Sequence, residues 1–342
     1  MREINNQIID PVRIADAFCR QHPQVTANIE QVRLMKGKAF PDWPYWCFLP
    51  ITRWLMLFMG GQKREFTPAV WLEIQKLSVL GTWRYSKGIY TPHPSLLNAL
   101  AETPLSDALP VDVFLRFPEW CIYVSTPGMC MQGEELYGFW AMVNQNDVNN
   151  DKSLYLLLNR ENGLKLESFR LKTGSVNAIL EDMFHEGLDA SGATPETVET
   201  LKHSEYLSVY LKNQARDVGR LLSILLYICS DEPEIDSERQ PGSYPARSKP
   251  VKTKKGFRLF PVNGPRYWRV GENMGKCWRQ HSLKLTSVLQ PGGRFAYIYD
   301  ADTGMVSGPV KETNQRHENF HITGCHHRLL AADVMRRFTD SG

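Results

Sequence analysis

The string HENFHITGCHH at His317 to His327 satisfies HExxHxxGxxH, in which His317, His321 and His327 would bind zinc and Glu318 would act as general base. That chemistry needs a stable helix, and Asn319, Thr323 and Gly324, with the polar Lys311 to Arg316 upstream, make a weak one. Only fifteen residues follow to enclose such a site. A zinc-dependent hydrolase is the first alternative reading, and it requires stoichiometric zinc and loss of activity in Glu318→Gln. GENMGK at Gly271 to Lys276 is one residue short of a phosphate loop, and Cys277 stands where a hydroxyl should meet magnesium. There is no GxGxxG, nucleophile elbow or paired-carboxylate set. Metal-free RNA cleavage needs only His, Lys or Tyr, so an RNA-cleaving enzyme is the second alternative. These residues call for no cofactor and no metal, and they favour a binding protein over an enzyme.

Binding chemistry concentrates between Gly81 and Trp140. Three aromatic-rich blocks lie there: GTWRYSKGIY (Gly81 to Tyr90), FPEWCIYV (Phe117 to Val124) and YGFWAMV (Tyr137 to Val143). The last two read as strands and the first as a helix running into a glycine-bounded turn. Aromatic rings bury large areas, so a core nucleus accounts for most of them. The other reading is a groove whose polar members are Arg84, Lys87 and Glu119.

The elements around these blocks can be read from pattern. Met1 to Val32 is helical in spacing, and Phe40 to Pro50 is a proline-broken extended piece. A helix starts at Thr67, a capping hydroxyl followed by Pro68, and another runs from Pro94 to Ala101. Strands are expected at Val111 to Phe117, Trp120 to Ser125, Leu136 to Val143, Ser153 to Asn159 and Leu164 to Leu171. Helices follow at Ser175 to Glu186, after Thr194-Pro195, and from Tyr206 to Ile228. The fold class is α+β, with helices packed on an antiparallel sheet. The expected organisation is an aromatic-rich domain (1–230), a charged linker (231–256), a small basic module (257–295) and a divergent, poorly ordered tail (296–342).

Composition narrows the partners. No apolar run approaches the roughly 18 residues of a membrane span. The polar N-terminus is not a secretory signal. Seven cysteines without a CxxC pair argue for reduced thiols and a cytoplasmic protein. Residues 1–245 carry 23 basic against 30 acidic side chains, whereas 246–285 carry 11 against one. So basic a segment points to nucleic acid or an acidic partner.

LGTWRYSKGIY (Leu80 to Tyr90), FLRFPEWCIYV (Phe114 to Val124) and GFWA (Gly138 to Ala141) resemble blocks of the type V-A anti-CRISPR proteins that block biogenesis of the CRISPR effector nuclease. LLYICSDEPEI (Leu225 to Ile235) and YWRVGENMGKCWRQ (Tyr267 to Gln280) continue the similarity in the family's order. The resemblance implies action during synthesis of the effector: recognition of its nascent N-terminal peptide, then loss of its mRNA. It implies the ribosome and the message as further partners, in the cytoplasm of a bacterial host and without a membrane. On this basis Trp83, Arg84, Tyr90, Glu119, Trp120, Tyr123 and Trp140 are the expected peptide-binding residues. Glu119 would pair with a positive group on the peptide, or else sit exposed in a turn. Lys252, Lys254, Lys255, Arg258, Arg266, Arg269, Lys276 and Arg279 are the expected nucleic-acid contacts, as against a solvated lysine-rich surface.

The family's closing His/Trp segment is missing. Reading one base out of step turns Tyr299 to Gly308 into a permitted Arg-Arg-Gly-His-Trp-His-Gly-Phe-Trp-Thr, which restores it. The chain past about Gln290 to Phe295 is therefore expected to be translated out of frame, and the zinc-like string becomes a by-product of the shift. Coding DNA that cannot spell the His/Trp segment in another frame after Phe295 would dismiss this reading.

Overall fold

Two helices open on the same device. The Asp10 carboxylate accepts from Val12 N–H at 2.9 Å ahead of Pro11, and the Thr67 hydroxyl accepts from Val70 N–H at 3.3 Å ahead of Pro68. A side-chain oxygen satisfies a free amide while proline presets the first helical φ. The computed structural model describes residues 10–60, 65–102, 111–171, 205–272, 283–290, 293–300 and 306–311.

In chain order the elements are α1 (Pro11–Arg20), α2 (Pro23–Leu34), α3 (Ile51–Met59), α4 (Pro68–Trp83), β1 (Gly88–Pro92) and α5 (Pro94–Glu102). A 3-10 turn (Val111–Arg116) leads to β2 (Ile122–Met131), β3 (Glu134–Gln145), β4 (Lys152–Arg160) and β5 (Gly163–Arg170). Then come α6 (Glu205–Ile228), β6 (Ile235–Ser237), β7 (Val251–Thr253), β8 (Gly256–Arg258) and β9 (Arg266–Val270). Strands β10 (Leu283–Gln290), β11 (Gly293–Asp300) and β12 (Val306–Lys311) form an antiparallel sheet of their own.

The α+β class holds, but the main sheet is mixed. Its order is β5-β4-β3-β2-β1-β9-β6, and β1 lies parallel to both β2 and β9. Helices cover both faces. Ile122, Val124, Phe139 and Ala141 pack with α5, α6 and the 3-10 turn, while Cys121, Tyr123, Trp140 and Met142 pack with α1 to α4. Double coverage explains why Leu154 to Leu158 is apolar without alternation.

One expected strand changes, and further elements come into view. Val111 to Phe117 forms a 3-10 turn instead of a strand, because Val113, Phe114 and Phe117 all bury on the face shared with α5 and α6. Ile51–Met59, adjoining the proline-broken stretch, is a helix with Ile51, Trp54 and Phe58 inward. Within the segment read as a charged linker and a basic module, β6 and β9 join the main sheet, β6 pairing with β9 and β9 with β1, while β7 and β8 pair with each other. The helices expected at Ser175 to Glu186 and after Thr194, and the zinc-like string, lie outside the described residues.

Gly138 shows why GFWA needs its glycine. A Cβ there would lie 2.4 Å from the Tyr123 hydroxyl and 2.5 Å from the Val124 carbonyl oxygen. Backbone cannot yield cheaply, so Gly138→Ala is expected to lower stability by about 1–3 kcal/mol. Denaturant unfolding measures this, and a midpoint equal to wild type would mean that β2 and β3 separate more easily than their register suggests.

Candidate functional site

The FPEW turn between the 3-10 turn and β2 sends successive side chains in opposite directions. Glu119 points inward and is wholly buried, while Trp120 stays half-exposed at the rim. The inward carboxylate meets Arg266 of β9, with Nη2 donating to Oε1 at 2.5 Å. Arg266 Nε also donates to the Ser86 carbonyl at 2.8 Å. Oε2 packs against Gly88, where a Cβ would come within 1.9 Å of it. The Tyr90 hydroxyl faces the same carboxylate without reaching a hydrogen bond of good geometry. Burial pushes Glu119 up to about 7, against the opposing pull of Arg266 and Tyr90. Glu119 is therefore neither a free peptide contact nor an exposed turn residue. It clamps the start of β2 to β9.

The other aromatic residues divide the same way. Trp83, Tyr90, Tyr123 and Trp140 are buried. Trp83 donates its indole N–H to the Gly88 carbonyl at 3.0 Å and meets Trp140 edge-on at 6.0 Å between centroids. Tyr123 meets Trp140 edge-on at 4.7 Å between centroids and accepts from Asn159 at 3.3 Å. Arg84 caps α4, half-buried, beside the Cys19 thiol. In this conformation the four buried rings present no face to a peptide.

Trp120 does. Its indole N–H donates to the Tyr45 carbonyl at 2.9 Å, and its ring meets Phe48 edge-on at 5.3 Å. The Arg33 guanidinium lies 5.0 Å from the Trp120 ring centre, and that of Arg247 lies 4.9 Å from the ring of Tyr45, which is 73% exposed. Arg247 is held by the Phe117 carbonyl at 2.8 Å. The two rings make an aromatic surface suited to the apolar side chains of a peptide, braced from behind by the two guanidiniums, Arg33 donating to the Phe48 carbonyl as Arg247 does to that of Phe117. Sequence reasoning named only Trp120 of this set. Tyr45 could have been noticed, since it stands between Pro44 and Trp46 in a stretch too broken to form a helix. Arg33 and Arg247 carry no local signal.

The basic residues are also sorted. Lys252, Lys254 and Lys255 are exposed and Arg258 half-exposed on the β7–β8 ribbon. Arg266 is committed to Glu119, and Arg269 lies 3.5 Å from Glu272. Arg266 therefore serves the fold first, while Arg269 keeps a 37% exposed side chain. Lys276 and Arg279 lie outside the described residues. Among the described residues, no three His, Cys, Asp or Glu side chains converge as a metal site requires.

Comparison with known proteins bears on the same blocks. The sequence pattern of the AcrVA2-like family, the anti-CRISPR type V subtype A2 family, matches residues 90–294. The chain belongs to this anti-CRISPR family. The match ends at residue 294. The chain is 26% identical over 211 residues to Protein FinQ of Escherichia coli, covering 58% of this chain and 59% of FinQ. It thus spans about three fifths of that relative. The crystal structure of AcrVA2 superposes with a TM-score of 0.55 at 17% identity, over 88% of this chain and 98% of AcrVA2. At that identity the likeness is one of fold. The FPEW and GFWA blocks, both within the matched residues, build the clamp and the centre of the sheet. No helix among the described residues is long and apolar enough to cross a membrane.

Proposed function

We propose that this anti-CRISPR family member lowers production of a type V-A effector nuclease by capturing the effector's nascent N-terminal peptide, with loss of the message following. Family membership across residues 90–294 carries this reading. The aromatic surface of Trp120 and Tyr45, held by Arg33 and Arg247, supports it, because peptide capture needs accessible aromatic faces on a fixed scaffold. Arg84 lies at the edge of the same helical layer and is the second accessible member of the set expected from sequence. The protein acts by binding, without a cofactor, beside the ribosome in the bacterial cytoplasm.

The test is binding of the purified full chain to a synthetic peptide matching the effector's N-terminus. Saturable binding is expected, and Trp120→Ala should weaken it about 30-fold, the scale of a central aromatic anchor. The melting temperature should fall by only a few degrees, since the ring is half-exposed. A folded wild-type protein that binds no peptide, or a Trp120→Ala variant that binds equally well, would remove this surface from the reading. Intact RNA after incubation with the protein alone is also expected; cleavage without ribosomes would favour a ribonuclease.

A further inference from the structure

Strands β7 and β8 pair only with each other among the described residues, so the ribbon they form adds nothing to the main sheet. It nonetheless carries large apolar side chains in the open: Val251 is 59% exposed and Phe257 63%, and Phe260 just beyond is 55% exposed. Lys252 and Phe257 are direct cross-strand partners, so a cation and a ring share one face. Lys254 and Lys255 occupy the tip. No acidic residue occurs in sequence between Glu238 and Glu272. The carboxylate at the ribbon's base, Glu30, already accepts from Leu259 N–H at 2.9 Å.

The ribbon is also held in place. On its entering side Ser248 Oγ donates to the Tyr85 carbonyl and Arg247 to that of Phe117. On its leaving side Leu259 is buried and Val262 N–H donates to the Arg84 carbonyl at 3.0 Å. At the tip Thr253 Oγ1 donates to the Gly256 carbonyl at 2.7 Å and accepts from Lys255 N–H at 3.2 Å. Its exposed rings are thus presented on a braced scaffold.

We propose that this ribbon binds single-stranded RNA, with Lys252, Lys254 and Lys255 neutralising phosphates and Phe257 and Phe260 stacking on unpaired bases. Lysines beside exposed rings suit a strand that offers phosphates and open base faces together, whereas a duplex hides its faces in the stack. The inference stands on the ribbon alone and does not require peptide capture.

Fluorescence anisotropy of the full chain with a labelled, unstructured RNA of about 15 nucleotides tests it. Wild type should bind with a steep salt dependence. Lys252→Ala/Lys254→Ala/Lys255→Ala should reduce the log–log salt slope by about 2, since each phosphate contact on a single strand is worth about 0.7. Phe257→Ala should weaken binding about tenfold with the slope unchanged, and Phe257→Trp should restore it. All these variants should keep the wild-type melting temperature, because the altered groups are exposed. Absence of RNA binding at roughly 50 mM salt overturns the proposal. So does binding that neither variant moves, or binding to anionic lipid vesicles without binding to RNA. Peptide binding measured on the same samples separates failure here from failure of the proposed function.

Discussion

Trp83→Ala is expected to cost about 3–5 kcal/mol of stability, enough to unfold a marginal domain. The ring is wholly buried at the end of α4, where the chain turns into β1. It contacts Trp140 edge-on and lies 6.3 Å from Tyr123, so its removal opens a cavity bounded by two large rings that cannot collapse into it. The Gly88 carbonyl loses its indole donor as well, which adds the cost of a buried unpaired acceptor. Trp120→Ala, within the FPEW block, should cost no more than about 1–2 kcal/mol and act on binding instead. Urea unfolding of both variants measures the contrast. Equal stabilities would show that Trp83 is not the centre of the helix–sheet interface.

Arg266→Met should destabilise the fold by about 3 kcal/mol at pH 8 and by clearly less at pH 5. Breaking a buried pair typically costs about 3–5 kcal/mol, and the 34% exposure of the Arg266 side chain places it at the lower end. The pH dependence comes from Glu119, raised from 4.5 to about 7 in the folded protein by burial. Between those values the folded form holds a proton that the unfolded form releases. Stability therefore falls as pH rises through this window and levels above it, with a slope of at most about 1.4 kcal/mol per unit. Arg266 opposes the shift, so its removal carries the titration of Glu119 further upward and extends the loss above pH 7. At pH 5 Glu119 is neutral in both proteins, and the variant lacks chiefly the hydrogen bond to Ser86. Glu119→Gln should flatten the profile between 4.5 and 7. A deficit in Arg266→Met that is the same at pH 5 and pH 8 would rule out the buried carboxylate as its source.

Much of the fold was legible where local pattern and tertiary role agree. Thr67-Pro68 marked a real helix start, and the apolar run ending at Ile228 marked a buried helix, because caps and all-round apolarity act within one element. The strands from β2 to β5 were visible because each pairs with its sequence neighbour through a short turn. Val111 to Phe117 misled, since its alternation of apolar and charged residues satisfies a strand period although Phe114 and Phe117 bury on one side of a 3-10 turn. The charged stretch after Ile228 hid its contacts for another reason. Its polar residues spend their donors on carbonyls of the body, as Arg247 and Ser248 do, and composition does not reveal what a donor will meet.

The sequence by itself determined the family, the α+β class, the span of most elements and the location of the aromatic blocks between Gly81 and Val143. Those properties follow from side-chain type and local spacing. Only the tertiary structure decided that Glu119 faces Arg266 across 147 residues of chain. It alone decided that β9 joins β1 in parallel, and that Trp120 reaches the surface while Trp83, Tyr123 and Trp140 do not. A ring's chemistry is the same inside and out. Which of its faces meets water depends on the layers that fold over it.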